Sequence, residues 1–359
     1  MSVLRKFGLN ILLLFIPATL ALEHLAPDLP ALAFLSAALA IVPLAGLIVK
    51  ATEQIALRTG DAIGGLLNAT FGNAPELIIS FVALRAGLVE VVRSALVGAI
   101  LTNMLLGLGL AFFLGGLRHH DQEFNPRGTQ MQSTMMIMAV ISLMVPGSFH
   151  VLVTEQTLYL ERYLNTGVAV ILLASYVLYL IFMLKTHPEV YVSEQCHGTE
   201  EEQPWPMGKA VGLLVAASVG AAWMSEILVG AVDGASRDLG MSKTFIGLVI
   251  LATVGCAAEL GATVAMGRKN RMDLAIGIAV GSSIQIALFV APLLVLLSLV
   301  MAPAPFVLAF TRGEILLLFT TVLIGTVVTA GGRSNWYKGV QLLTIYLIFA
   351  TLFFLAPGN

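Results

Sequence analysis

The chain has 359 residues, 58% of them apolar and only 11% charged, with a formal charge of -2 and a mean hydropathy of +0.93. Soluble domains carry about 25% charged residues, so this composition excludes an ordinary cytosolic globule, a disordered chain and a nucleic-acid binder. Its two cysteines, Cys196 and Cys256, are too far apart for a disulfide framework or a zinc knuckle. What remains is an integral membrane protein, and 34 Gly with 14 Pro suit membrane helices whose freed backbone groups find partners in neighbours or cavities.

Runs of about 20 apolar residues predict eleven spanning helices, near 7–22, 31–49, 62–86, 91–117, 129–147, 166–184, 208–231, 242–267, 272–301, 312–330 and 335–356. The runs are continuous rather than alternating, so the expected fold class is an all-α membrane protein and not a β-barrel. Arg5 and Lys6 before the first run resemble the start of a signal peptide, but no small-x-small cleavage site follows Ala21, and the run is read as a helix. With the N-terminus inside, thirteen of the 19 basic residues fall in inside loops. The other six (Arg85, Arg93, Arg162, Arg237, Lys243 and Arg312) fall outside. This bias places the N-terminus in the cytoplasm and the C-terminus outside. Short loops and the lack of a long regulatory tail suit a prokaryotic plasma membrane.

The longest hydrophilic stretch, 185–207, carries Glu189, Glu194 and Glu200–Glu202 and reads as an acidic cytoplasmic linker. It divides the chain into an N-terminal helix (1–30), a first five-helix repeat (31–184) and a second (208–359). A shift of 183 residues lays ATFGNAPEL, from Ala69, on ATVGCAAEL, from Ala252. The match continues without a gap through Arg85/Arg268, Glu90/Asp273 and Gly98/Gly281. Five spans is an odd number, so the second copy enters from the opposite side. Such inverted repeats are typical of secondary transporters, whose site lies near the midplane between the copies.

Most acids fall in loops or at span ends, but Glu76 and Glu259 fall near the middle of their spans. A charge there costs at least about 2.5 kcal/mol on insertion scales. The two are equivalent under the repeat. Helical spacing puts Asn73 and Ser80 beside the first, and Cys256 and Thr263 beside the second. Gly72, Pro75 and Gly255 suit local unwinding that frees carbonyl ligands. Carboxylates with amides, hydroxyls and carbonyls make the hard oxygen cage that calcium prefers. Two such carboxylates repel each other and gain proton affinity from desolvation, so a divalent cation or protons neutralise the site. That exchange of one cargo for the other is antiport.

The segment GLLNATFGNAPELIISFVALRAGLVEVVRSALVGAILTN resembles the first α-repeat of calcium/proton exchangers of the CAX type, within the cation/calcium antiporter superfamily. SKTFIGLVILATVGCAAEL and NRMDLAIGIAVGSSIQIALFV resemble the second, and similarity reaches the closing SNWYKG. The α-repeats fall at about 62–117 and 242–301. The resemblance implies exchange of Ca2+ for H+ with no further cofactor and no enzyme activity, Glu76 and Glu259 being the essential carboxylates. It also implies that Asn103 and Gln285, with Ser282 and Ser283, complete the site, and that the helices near 31–49 and 208–231 slide, with the first span, against the rest. Interhelical bonding is the alternative role for Asn103 and Gln285.

Three positions depart from the family pattern. Cys256 stands where Asn is usual, Leu260 where His is usual, and Pro75 where Thr or a small residue is usual. A thiol is a poor calcium ligand and a good one for soft metals, although a small packing residue is the plainer role. Leu260 removes a group that titrates near neutrality. Pro75 is like the sodium/calcium branch and leaves sodium coupling open.

Weaker candidates are Glu53 and Asp233, each seven residues before a glycine (Gly60 and Gly240), together with Glu226, Glu314 and His119–His120 with Asp121 and Glu123. Solvation at the interface is the plainer account of all of these. A channel would also line a pore with acids, but midplane helix breaks favour a carrier. No His-Glu-x-x-His pair, nucleophile with a base or phosphate cradle points to an enzyme. The expected partners are inorganic cations and the bilayer, with no oligomeric state implied.

Overall fold

The structure, a computed structural model, describes residues 9–59, 64, 66–67, 70–150, 158–186 and 205–355. The helices are α1 (Phe15–Leu25), α2 (Pro30–Thr59), α3 (Ala74–Arg85), α4 (Val89–His119), α5 (Pro126–His150) and α6 (Tyr159–Thr186). They continue as α7 (Met207–Gly230), α8 (Val232–Leu239), α9 (Lys243–Gly255), α10 (Ala257–Arg268), α11 (Met272–Met301), α12 (Arg312–Thr329) and α13 (Trp336–Leu355).

Among the described residues, eight helices are long and apolar enough to cross a membrane, or nine if α8 and α9, bent by 112°, form one broken span. Three of the eleven expected spans differ from simple rods. The first is a short apolar helix, Ile11–Leu25. The run at 62–86 is described as a 12-residue helix from Ala74, with part of its start outside the described residues. The run at 242–267 is interrupted at Cys256. The protein is mostly helical, as expected, with one short addition: β1 (Asp121–Glu123) pairs antiparallel with β2 (Arg333–Asn335). Hydropathy does not register this pairing, because both strands are short and polar.

The described residues of 1–95, 204–258 and 353–359 form one compact unit, and those of 96–203 and 259–352 a second. Each unit draws on both halves of the sequence. In the first, α2 packs along α7 through small side chains. Ala33, Ala37, Ala40 and Ile41 share a buried core with Ala217, Ala221, Met224 and Leu228. Without an oil–water difference to drive helices together, close packing of small residues does so. The same core takes in Ala74 and Ile79 of α3 and Leu251 and Val254 of α9.

In the second unit, the end of α10 is fastened to the end of α4 and to β1. Gln122 Nε2 donates to the Gly267 carbonyl and to Asn270 Oδ1, each at 2.9 Å. A Cβ on Gly267 would meet that of Ala111 at 2.8 Å, so the approach requires glycine. Another polar clamp holds the buried stretch after α11. The Asn165 amide donates to the Phe306 carbonyl (2.7 Å) and accepts from Leu308 N–H (3.0 Å), meeting backbone groups that lipid could not satisfy. The outward faces of α6 and α12, with Ile171, Leu178, Leu316 and Val327, are apolar and exposed, as a lipid-facing surface requires.

Candidate ion-binding site

Two helix interruptions organise the candidate residues. A turn at Gly72 and Asn73 precedes α3, and Cys256 forms a turn between α9 and α10. Asn73 (φ -101°, ψ 27°) and Cys256 (φ -77°, ψ 11°) have left regular helical geometry. Helical spacing placed each one turn ahead of its glutamate, beside a glycine suited to unwinding. The structure makes each the residue at which the helix restarts. The glycine just before each break weakens the helix. Pro75, in the first turn of α3, sits where its missing N–H has no intrahelical role.

Glu76 and Glu259 are consequently each the third residue of a new helix. The free N–H groups and positive dipole end of that first turn favour a carboxylate or a group it binds. Both acids are buried, at 5% and 8% exposure.

In the first unit, Gly255 lies against Glu76: a Cβ there would come within 3.1 Å of the Glu76 Cγ. Among the described residues, neither carboxylate oxygen of Glu76 has a hydrogen-bond partner of ordinary geometry. Cys256, which follows directly on Gly255, adds only a thiol, a weak donor, to these surroundings. Cys256 is fully buried, and Asn73 and Ser80 are buried in the same unit. A buried carboxylate with such weak donors is a costly arrangement unless protons or a cation supply the missing charge.

The second unit holds Glu259, Thr263, Asn103, Ser282, Ser283 and Gln285. Asn103 Nδ2 donates to Ser282 Oγ (3.1 Å) inside the protein, joining α4 to α11. Ser283 donates back to the Ala279 carbonyl (2.8 Å) of its own helix, so its proton is committed. Gln285 is half-buried. Thr263 is buried one turn beyond Glu259. Leu260, at the position where the resembling family has His, packs on Gly107, whose added Cβ would lie 3.2 Å from its Cδ2.

Sequence reading missed the widened turns beside these residues. Helix α4 has a π-helical segment at Thr102–Gly107, and α11 has one at Ile286–Val290. The 183-residue shift carries the first onto 285–290. A third segment, Ile246–Leu251, precedes the α9 break. Such insertions are common at functional sites, and hydropathy carries no signal for them.

The weaker candidates have local roles. Asp233 pairs with Lys243 (2.7 Å) at the surface, and Glu53 and Glu226 are exposed. Glu314 is buried but closes a capping box with Thr311, whose N–H it accepts at 2.8 Å. The Thr-x-x-Glu spacing was the available signal. Glu123 pairs with Arg333 (2.8 Å), and among the described residues no group of three His, Cys, Asp or Glu could hold a metal. Glu90 and Asp273, equivalent under the repeat, are both bound: Glu90 accepts from the Thr244 hydroxyl, and Asp273 from the Asn125 N–H at 2.7 Å. Gly60 and the acids Glu189, Glu194 and Glu200–Glu202 lie outside the described residues.

Long apolar helices, with two shorter helices that start beside breaks and carry buried acids, define an integral membrane protein with carboxylates inside its helical structure. The chain belongs to the sodium/calcium exchanger protein family, whose model matches residues 29–185 and 209–355. It is 38% identical to a Ca2+/H+ antiporter of Synechocystis sp., over 97% of each chain. It is 42% identical to the Ca2+/H+ antiporter ChaA of Bacillus subtilis, over 88% of this chain and 90% of that one. The solved structure of native YfkE superposes with a TM-score of 0.81 at 36% identity, over 96% of this chain and 99% of that one. The H+/Ca2+ exchanger CAX shares the fold, with a TM-score of 0.72 at 16% identity over 97% and 92%.

Proposed function

We propose that this chain is a secondary active transporter that exchanges Ca2+, or a similar divalent cation, for H+ by alternating access at a paired-glutamate site. The observation that carries this reading is the buried Glu76 carboxylate, opening a half-helix with, among the described residues, no ordinary hydrogen bond to either oxygen. Its repeat mate Glu259 is buried at the same helix position. The antiporter relatives and the YfkE structure support the cargo.

In this reading Glu76 and Glu259 hold the metal. Asn73, Ser80, Thr263, Asn103, Ser282, Ser283 and Gln285 supply neutral oxygens, Cys256 lines the site, and Gly72, Pro75 and Gly255 form the breaks. Two ionised carboxylates without cargo resist occlusion in a medium of low dielectric. Calcium neutralises them, and so do protons. The protein therefore changes its facing with either cargo and is arrested with neither, which couples the two fluxes. Because the carboxylates titrate as a unit, pH acts on the pair.

Eleven spans in two inverted five-helix repeats, with an extra N-terminal helix and a cytoplasmic 185–207 linker, give the frame. The N-terminus lies in the cytoplasm of a prokaryotic cell and the C-terminus outside. Movement of α2 and α7, with α1, exposes the site to each side in turn.

Purified protein in liposomes tests this. Calcium uptake should saturate and scale with an imposed pH difference. Uptake driven by a sodium gradient instead would favour sodium coupling, the alternative that Pro75 leaves open. Current without any gradient of a second ion would make the protein a channel.

A further inference from the structure

We infer that Cys256 extends the cargo of this site to soft, thiophilic divalent cations, with the sulfur and the Glu76 carboxylate as joint ligands. This inference rests on the reading of Glu76 as an ion carboxylate and deepens it.

Three observations meet at one point. The Cys256 side chain is fully buried and follows directly on Gly255, which lies against Glu76. Glu76 is itself buried, and among the described residues neither of its oxygens has an ordinary hydrogen bond. Gly255 carries no side chain that could separate the two, since a Cβ would already crowd Glu76 Cγ at 3.1 Å. A carboxylate poor in donors therefore shares its surroundings with a sulfur atom, at the residue where the helix restarts.

The repeat shows what this changes. Asn73, the equivalent residue of the first break, offers a hard amide oxygen, whereas Cys256 offers a soft ligand. Calcium and magnesium select oxygen, and thiolates select softer ions such as cadmium and zinc. As the metal–sulfur bond forms, the S–H bond breaks and its proton passes to water. The cation keeps its charge and oxidation state throughout, so no oxidant is needed.

The test uses the full chain in a Cys196→Ser background, which leaves Cys256 as the only thiol. Cadmium is titrated alone while the thiolate-to-cadmium charge-transfer absorbance is followed, and cadmium and calcium affinities are measured by equilibrium binding. The expected result is a saturable band in this background. In Cys256→Ser the band should disappear and cadmium affinity should fall at least about tenfold. Calcium affinity should change less than about threefold, and Cys256→Asn should behave in the same way. Unchanged cadmium affinity in Cys256→Ser, or no band in the parent, would overturn the inference and make the thiol a packing group. Glu76→Gln separates this failure from a failure of the underlying site. If it loses calcium binding while Cys256→Ser changes nothing, only the inference fails. If it binds calcium normally, the two-carboxylate reading fails, and the inference fails with it.

Discussion

The two interrupted helices of this protein solve one problem with different residues. In each, a glycine precedes a residue that leaves helical geometry, and a buried glutamate follows as the third residue of the next helix. Around that shared frame the first break has Asn73 and Pro75, and the second has Cys256 and Ala258. The retained parts are those that place a buried carboxylate at a helix start. The exchanged parts change which polar groups accompany it. Under the proposed function, position and ligand chemistry are thus separable, and substitutions can act on either.

The largest effect should come from removing the shared element. Glu76→Gln or Glu259→Gln should each lower calcium uptake into liposomes at least about a hundredfold, because ligand charge governs affinity for hard divalent ions. Both variants should still insert and elute as folded protein. Either one transporting normally would break the equivalence of the two breaks. Gly255→Ala should come next, with a loss of about tenfold in uptake, since the new Cβ displaces the Glu76 side chain and misplaced ligands weaken a site steeply. An unaffected Gly255→Ala protein would show that Glu76 can move away freely.

Lowering pH on the calcium-loading side should raise the apparent KM for calcium, because protons and metal compete for the same oxygens. The opposite sign would separate the two cargo sites. The smallest effect should come from Thr311→Ala, outside both breaks. Loss of its capping box should lower stability by about 1 kcal/mol, read as a lower Tm, with uptake unchanged.

Much of this organisation was legible in the sequence. Apolar runs located the long helices to within a few residues at most ends, because length and hydropathy are what a bilayer selects. Mid-span position and the 183-residue repeat singled out Glu76 and Glu259 before any coordinate. The less legible features depend on partners distant in the chain or on backbone geometry. Gln122 reaches Gly267, Asn165 reaches Phe306 and Leu308, and the Trp205 N–H reaches Gln54 Oε1 (2.9 Å). Each is a single polar group whose role is set by the backbone it meets, so no local pattern announces it. The π-helical segments and the sharp bend between α8 and α9 have the same character. Asn73 and Cys256 illustrate the middle case: the neighbouring Gly72, Pro75 and Gly255 marked where the helices unwind, but which residue leaves helical geometry was not legible.

The central claim is that the same carboxylates carry metal and protons. Its most direct test is calorimetric titration of calcium into the purified protein in buffers of different ionisation enthalpy, which counts protons released on binding. The account predicts proton release that diminishes as pH rises, and no such release from Glu76→Gln or Glu259→Gln. Calcium binding that releases no protons at any pH, or that releases them undiminished in either variant, would contradict it.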